Sequence, residues 1–160
     1  MGQYHYLVNL DQKQFVHPHQ IGNGFKLREQ VGWSFATATA LVMLLAASNR
    51  NGPRGGGDFR TAHPLVGTWA GDRVAFIGDY AESGDLPDGE AARIYEDCDQ
   101  VAKAGTTRNG WSNISAQVRE MMSAEFGIQY QGSGWLDIVS GADITAKPPL
   151  APDLVLRSGT

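Results

Sequence analysis

The chain has 160 residues, 42% of them hydrophobic and 19% charged, and a formal net charge of −4. That size supports one domain with a core of its own, and the acidic balance excludes the broad basic footprint of an extended nucleic-acid binder. A single cysteine, Cys98, excludes an intramolecular disulfide, and twenty glycines predict many tight turns or close backbone approaches.

The N-terminus has neither a basic nor an apolar leader segment, so no signal peptide is expected and the expected location is cytoplasmic. Residues 3–19 read as a hairpin. Gln3–Leu10 is rich in aromatic and branched residues, Asp11–Lys13 is polar, and Gln14–His17 resumes the pattern. A three-residue loop sets Leu10 opposite Gln14 and His5 opposite His19. Alternation then gathers Tyr4, Tyr6, Val8, Leu10 and Val16 on a core face. His5, His17 and His19 share the other face. A register slip of one residue separates His5 from the other two.

Residues 25–30 fit either a helical turn or a strand. The longest apolar run, Phe35–Ala47, is apolar nearly all round a helical wheel, as expected of a buried central helix. It is shorter than the roughly 20 residues that cross a membrane. Ser34 is a good N-cap for it, and Asn51-Gly52-Pro53 a good stop. Residues 66–69 and 73–80 read as paired strands turning at 70–72. Glu90–Lys103 reads as a helix with Ala91, Ile94, Tyr95, Cys98, Val101 and Ala102 as its apolar stripe, stopped by Gly105. Ile114–Phe126 reads as another, with Ile114, Val118, Met121 and Met122 on one face, Glu125 the only polar residue there, and Gly127 as its stop. A strand is expected around residues 135–139. Residues 147–160 form a Pro-containing extended tail after a single domain, residues 1–146. Hairpins mixed with helices, without a strand–helix rhythm, indicate α+β: an antiparallel sheet on a buried central helix and two further helices.

Three groups of residues carry chemistry. The first is the glycine-rich stretch after the central helix, with Arg50, Arg54, Gly55, Gly56, Gly57, Asp58 and Arg60. Glycine amides converge on anions and arginines bind phosphate bidentately. The spacing is not that of a P-loop. The preceding helix C-terminus repels anions, so the arginines must do the work. The second is His5, His17 and His19, with His63 as an optional fourth member, a set that suits a divalent transition metal. The third is a repeated Gly-Asp. Asp58, Asp72 and Asp79 offer acceptors to sugar hydroxyls, while Trp69 and Tyr80 offer stacking platforms. Arg73 stands beside Asp72 as a structural ion pair. Cys98, Met43, Met121 and Met122 read as core. Trp33, Trp111 and Trp135 each fit a core anchor, a pocket wall or an interface. There is no nucleophile elbow, HExxH or CxxC.

At Met1–Leu10, His17-Pro18-His19, Gly22–Leu27, Gly55–Asp58 and Gly67–Arg73 through Gly78–Tyr80, the chain resembles a group of small uncharacterised proteins from bacteria and their phages. The likeness covers about the first 80 residues. It implies a cytosolic protein with a place among phage proteins that act on host defence, some of which sequester nucleotide signals. It supplies no functional residues.

From the residues together, the expected function is binding without catalysis of a small anionic, nucleotide-like ligand. No cofactor is required. The alternatives are a metal-dependent hydrolase using the His/Asp set, and a structural or partner-binding protein, with homo-oligomers allowed.

Overall fold

A computed structural model describes residues 3–49 and 58–130, together with the backbone of Ile138–Ser140. The elements in order are β1 (His5–Asn9), β2 (Gln14–Val16), α1 (Leu27–Gly32), α2 (Thr37–Leu44), β3 (Val74–Gly78), α3 (Ala91–Ala104), β4 (Ser112–Asn113), α4 (Ser115–Phe126), β5 (Ile128–Tyr130) and β6 (Ile138–Ser140). The fold is α+β. A largely antiparallel sheet runs β3-β1-β2-β4, with only β2 and β4 parallel, and β5 and β6 pair separately.

β1 sits inside this sheet, and both of its faces are buried. Tyr6 and Val8 pack with Phe15, Ile77, Ile94 and Cys98 on the α3 side. Leu7 packs with Val16, Met43, Leu44, Val118 and Met121 on the side of α2 and α4. A strand covered on both faces needs no alternation, and Tyr6-Leu7-Val8 has none. This corrects the expected hairpin. Asn9, not Leu10, lies opposite Gln14, and Leu7 lies opposite Val16. The one-residue slip moves Val16 to the face away from Tyr6 and Val8, and Tyr4 is left exposed.

The two amphipathic helices match the sequence pattern. α3 buries Ala91, Ile94, Cys98 and Val101 and stops at Gly105, whose φ of 72° suits glycine. α4 buries Val118, Met121 and Met122 and stops at Gly127, with φ 69°. α2 is shorter than the apolar run suggests, and it is not buried all round: Val42 is 59% exposed. Phe35 takes a left-handed φ of 52°, so the helix starts after it and Ser34 is not its cap. The buried Asn23 Oδ1 accepts instead, from the backbone N–H and the hydroxyl of Thr37. The helix ends at Leu44, and the expected stop at Asn51-Gly52-Pro53 lies outside the described residues. So do the 147–160 tail and most of the strand expected at 135–139. Residues 25–30 resolve as the start of α1. No described helix is long and apolar enough to cross a membrane.

Residues 66–69 are a turn, not a strand, and β3 pairs with β1 instead. The cause is Gly67, with φ 80°; a Cβ there would lie 2.7 Å from the Ala46 carbonyl oxygen. Gly67→Ala is therefore expected to cost about 1–3 kcal/mol, the range of strained left-handed positions, read as a lowered urea midpoint. An unchanged midpoint would show that this turn tolerates a side chain.

Candidate functional site

At the C-terminal end of α2 lies a cavity of about 400 Å³, bounded by Ala46, Asn49, Thr61, His63, Val66 and Gly67 among others. Local chemistry builds each wall. Gly67 N–H donates to Met43 O and Trp69 N–H to Leu44 O, so the last carbonyls of α2 are used. That offsets part of the negative helix end that made this place hostile to anions. Asn49 pairs reciprocally with Phe59: its Nδ2 donates to Phe59 O and its Oδ1 accepts from Phe59 N–H, both at 2.9 Å. The pair joins the described residues on either side of the arginine–glycine segment. Glu125, the polar residue on the α4 stripe, accepts from the amides of Arg60 and Thr61 at 2.7 and 3.0 Å. His63 Nδ1 accepts from Leu65 N–H, and its Nε2 faces Glu120 Oε2 at 3.4 Å. With Nδ1 accepting, Nε2 carries the proton toward Glu120.

Of the anion-binding set, Arg50, Arg54, Gly55, Gly56 and Gly57 lie outside the described residues. Asp58 and Arg60 are exposed at the edge of the described chain. Trp69 is not a stacking platform. It is fully buried in the core, and its indole N–H donates to Gln14 Oε1 at 2.8 Å. Asp72 Oδ2 is taken by the side-chain amides of Asn9 and Gln12. Arg73 pairs with Asp11, not with Asp72, through Nη2 at 2.8 Å. That contact holds the Asp11 carboxyl below its usual range, chiefly by hydrogen bonds from the Arg73 backbone and side chain. Asp79 accepts from Tyr4 N–H, and Tyr80 is 57% exposed beside it. Asp72 precedes β3 and Asp79 follows it, on the order of 20 Å apart along an extended strand. The acidic residues therefore do not share one pocket.

The corrected register also splits the histidines. His5 lies opposite Gly78 on β3, and its Nδ1 is buried without a partner. His17 and His19 do meet, with ring centroids 5.4 Å apart, in an aromatic nest with Tyr6 and Phe25 rather than on a solvent face. Among the described residues, no group of three or more His, Cys, Asp or Glu side chains is placed to hold a metal ion. Burial, then the neighbouring His19, pushes His17 down to about 4. Burial likewise pushes the Cys98 thiol up, which leaves it an inert core residue.

The Asn49–Phe59 pair is the feature of this cavity that residue types alone did not single out, and His63, read from the sequence with the metal-ligand histidines, lies here apart from them. The readable signal was Glu125, a lone carboxylate on an otherwise apolar helix face. Compared with family models, with curated proteins and with solved structures, the chain matches none of them.

Proposed function

We propose that the protein binds a small anionic, nucleotide-like molecule at the α2-terminal cavity and does not transform it. One observation carries this reading: Asn49 and Phe59, which flank the arginine–glycine segment in sequence, are hydrogen-bonded to each other, and Asn49 lines a cavity of about 400 Å³. That volume falls within the roughly 300–1,000 Å³ of small-molecule sites. In this reading Arg50, Arg54 and Arg60 neutralise phosphate, and the amides of Gly55, Gly56 and Gly57 approach its oxygens. Asp58 accepts from a hydroxyl. His63 takes the flat contact that the buried Trp69 cannot make. Asp72, Arg73, Asp79 and Tyr80 leave the site. A protein of this kind acts as a sponge for a nucleotide signal, in keeping with the phage-protein resemblance.

The test is depletion. Protein is mixed with mono-, di- and cyclic nucleotides, filtered, then heat-denatured, and each fraction is chromatographed. One compound should vanish from the filtrate and return intact on heating. Arg54→Ala and Arg60→Ala should each weaken retention about tenfold or more, the effect of a lost charge-assisted hydrogen bond. A compound that returns altered would make the protein an enzyme. Full retention by the double variant would remove the arginines from the site.

A second reading, a partner-binding protein, is favoured by the exposed apolar residues at α1, where Val31 is 70%, Trp33 41% and Leu27 40% exposed. Sedimentation velocity tests self-association at that surface.

A further inference from the structure

A second, smaller cleft lies on the α3 side of the sheet. Its volume is about 220 Å³, below the size of drug-like sites, and it is enclosed by the β1–β2 turn, the start of β3, the first turns of α3 and the 108–111 turn. It shares no lining residue with the α2-terminal cavity.

Three features set it apart from a surface crevice. Its backbone is strained: Lys13, with φ 54°, and Asn109, with φ 51°, are two of the three non-glycine residues with positive φ among the described ones. Both line this cleft, joined by a hydrogen bond from Lys13 Nζ to Asn109 O at 3.2 Å. Non-glycine residues in this conformation cost free energy and persist only where neighbours enforce them. Next, the cleft contains a buried carboxylate. The Asp97 side chain is 4% exposed. Its Oδ1 accepts both from Arg108 Nε, at 3.0 Å, and from Asn109 Nδ2, at 2.9 Å. Its Oδ2 takes no hydrogen bond from a described residue. That oxygen is open to the cleft rather than sealed away without a partner, so a donor entering the cleft can reach it. Finally, the lining carries both signs of charge, Lys13, Arg73 and Arg93 with Asp88, Glu90 and Asp97, over apolar walls from Leu10, Ile94 and Trp111; Arg73 is already paired with Asp11, Arg93 with Glu90 and Asp97 with Arg108.

A polyanion would be repelled by three carboxylates, and a simple cation by three basic groups. A zwitterion satisfies both. We propose that this cleft binds a free α-amino acid with an apolar side chain. Its ammonium donates to Asp97 Oδ2, its carboxylate meets Lys13, with Arg73 held beside it by Asp11, and its side chain lies against Leu10, Ile94 and Trp111. This goes beyond the anion site and does not depend on it.

The test uses isotope-labelled protein and amide and indole shift mapping. L-leucine and L-phenylalanine are titrated to millimolar concentrations, beside N-acetyl-L-leucine. One free amino acid should give saturable shifts at the Trp111 indole N–H and the Asn109 amide. Acetylation, which removes the ammonium, should weaken binding at least tenfold. Lys13→Gly keeps the left-handed backbone and removes the cation. It should also weaken binding about tenfold, the loss of one charge-assisted contact. Arg60→Ala should change nothing here, which separates this site from the anion cavity. The proposal is overturned if neither amino acid gives saturable shifts at these positions, or if N-acetyl-L-leucine binds as tightly as L-leucine.

Discussion

Trp69→Ala is expected to destabilise the protein by about 3–5 kcal/mol, the usual cost of deleting a buried aromatic ring. Trp69 is fully buried against the α2 and α4 side of the sheet, in the cluster that holds Leu7, Met43 and Met121. Its indole N–H satisfies Gln14 Oε1, and its backbone N–H satisfies Leu44 O. Alanine would leave a cavity and an unpaired, part-buried acceptor on β2. Trp69→Phe refills most of the cavity and leaves only the acceptor, so it should cost about 1–3 kcal/mol. Urea unfolding of the two variants beside the parent measures both. If the alanine variant unfolds at the parent midpoint, Trp69 is not a core residue and its role as a ligand platform returns. The pair also protects the anion test: Trp69→Phe, still folded, should retain nucleotide as the parent does.

The parts of this fold that could be read from the sequence are those in which one face meets water. α3 and α4 have an apolar stripe and a glycine at the stop, and both form at the expected positions within one residue. β1 was readable as a strand, but its register was not. With Tyr6, Leu7 and Val8 all buried, apolarity no longer distinguishes one face from the other. The fact that decides the register, Leu7 opposite Val16, is a long-range choice made by two separate cores. The same blindness misplaced Trp69. Residue type says that an aromatic ring will be covered, not whether by protein or by ligand. Gly67 was a visible glycine in an apolar run, and its left-handed φ is what turned an expected strand into the turn that covers the end of α2.

For the candidate sites the limit was distance. The Gly-Asp repeats suggested convergence, yet β3 holds Asp72 and Asp79 at opposite ends. The contacts that do define the cavities join residues far apart in sequence, such as Glu125 with Thr61 and Lys13 with Asn109. A pattern within one short window cannot reveal them.

Acidification is expected to destabilise the protein through His17 before most carboxylates titrate. His17 caps the short helical turn Pro18–Ile21: its Nδ1 accepts from His19 N–H at 3.2 Å. A proton on Nδ1 would set two donors against each other and break the cap. The ring is also enclosed by Tyr6 and Phe25, with His19 beside it, and Asp99, which accepts from Tyr6 Oη, supplies the compensating charge. Burial, reinforced by His19, takes His17 from 6.5 to about 4 in the folded state. Between those values the unfolded chain binds a proton that the native protein refuses, so unfolding is favoured as pH falls. The stability is whole above about 6.5, declines through the window and is lost below about 4. At 1.36 kcal/mol per pH unit the loss is at most about 3 kcal/mol. His5 and His19, also lowered by burial, add to it in the same direction. His17→Asn keeps an acceptor for His19 N–H and removes the titration. It should lower stability at neutral pH, because ring packing is lost, while flattening the slope between pH 6.5 and 5. Urea unfolding across that range, with a proton–carbon titration of the His17 ring, reads both. A ring midpoint near 6.5, or an unchanged slope in His17→Asn, would show that the acid sensitivity lies elsewhere.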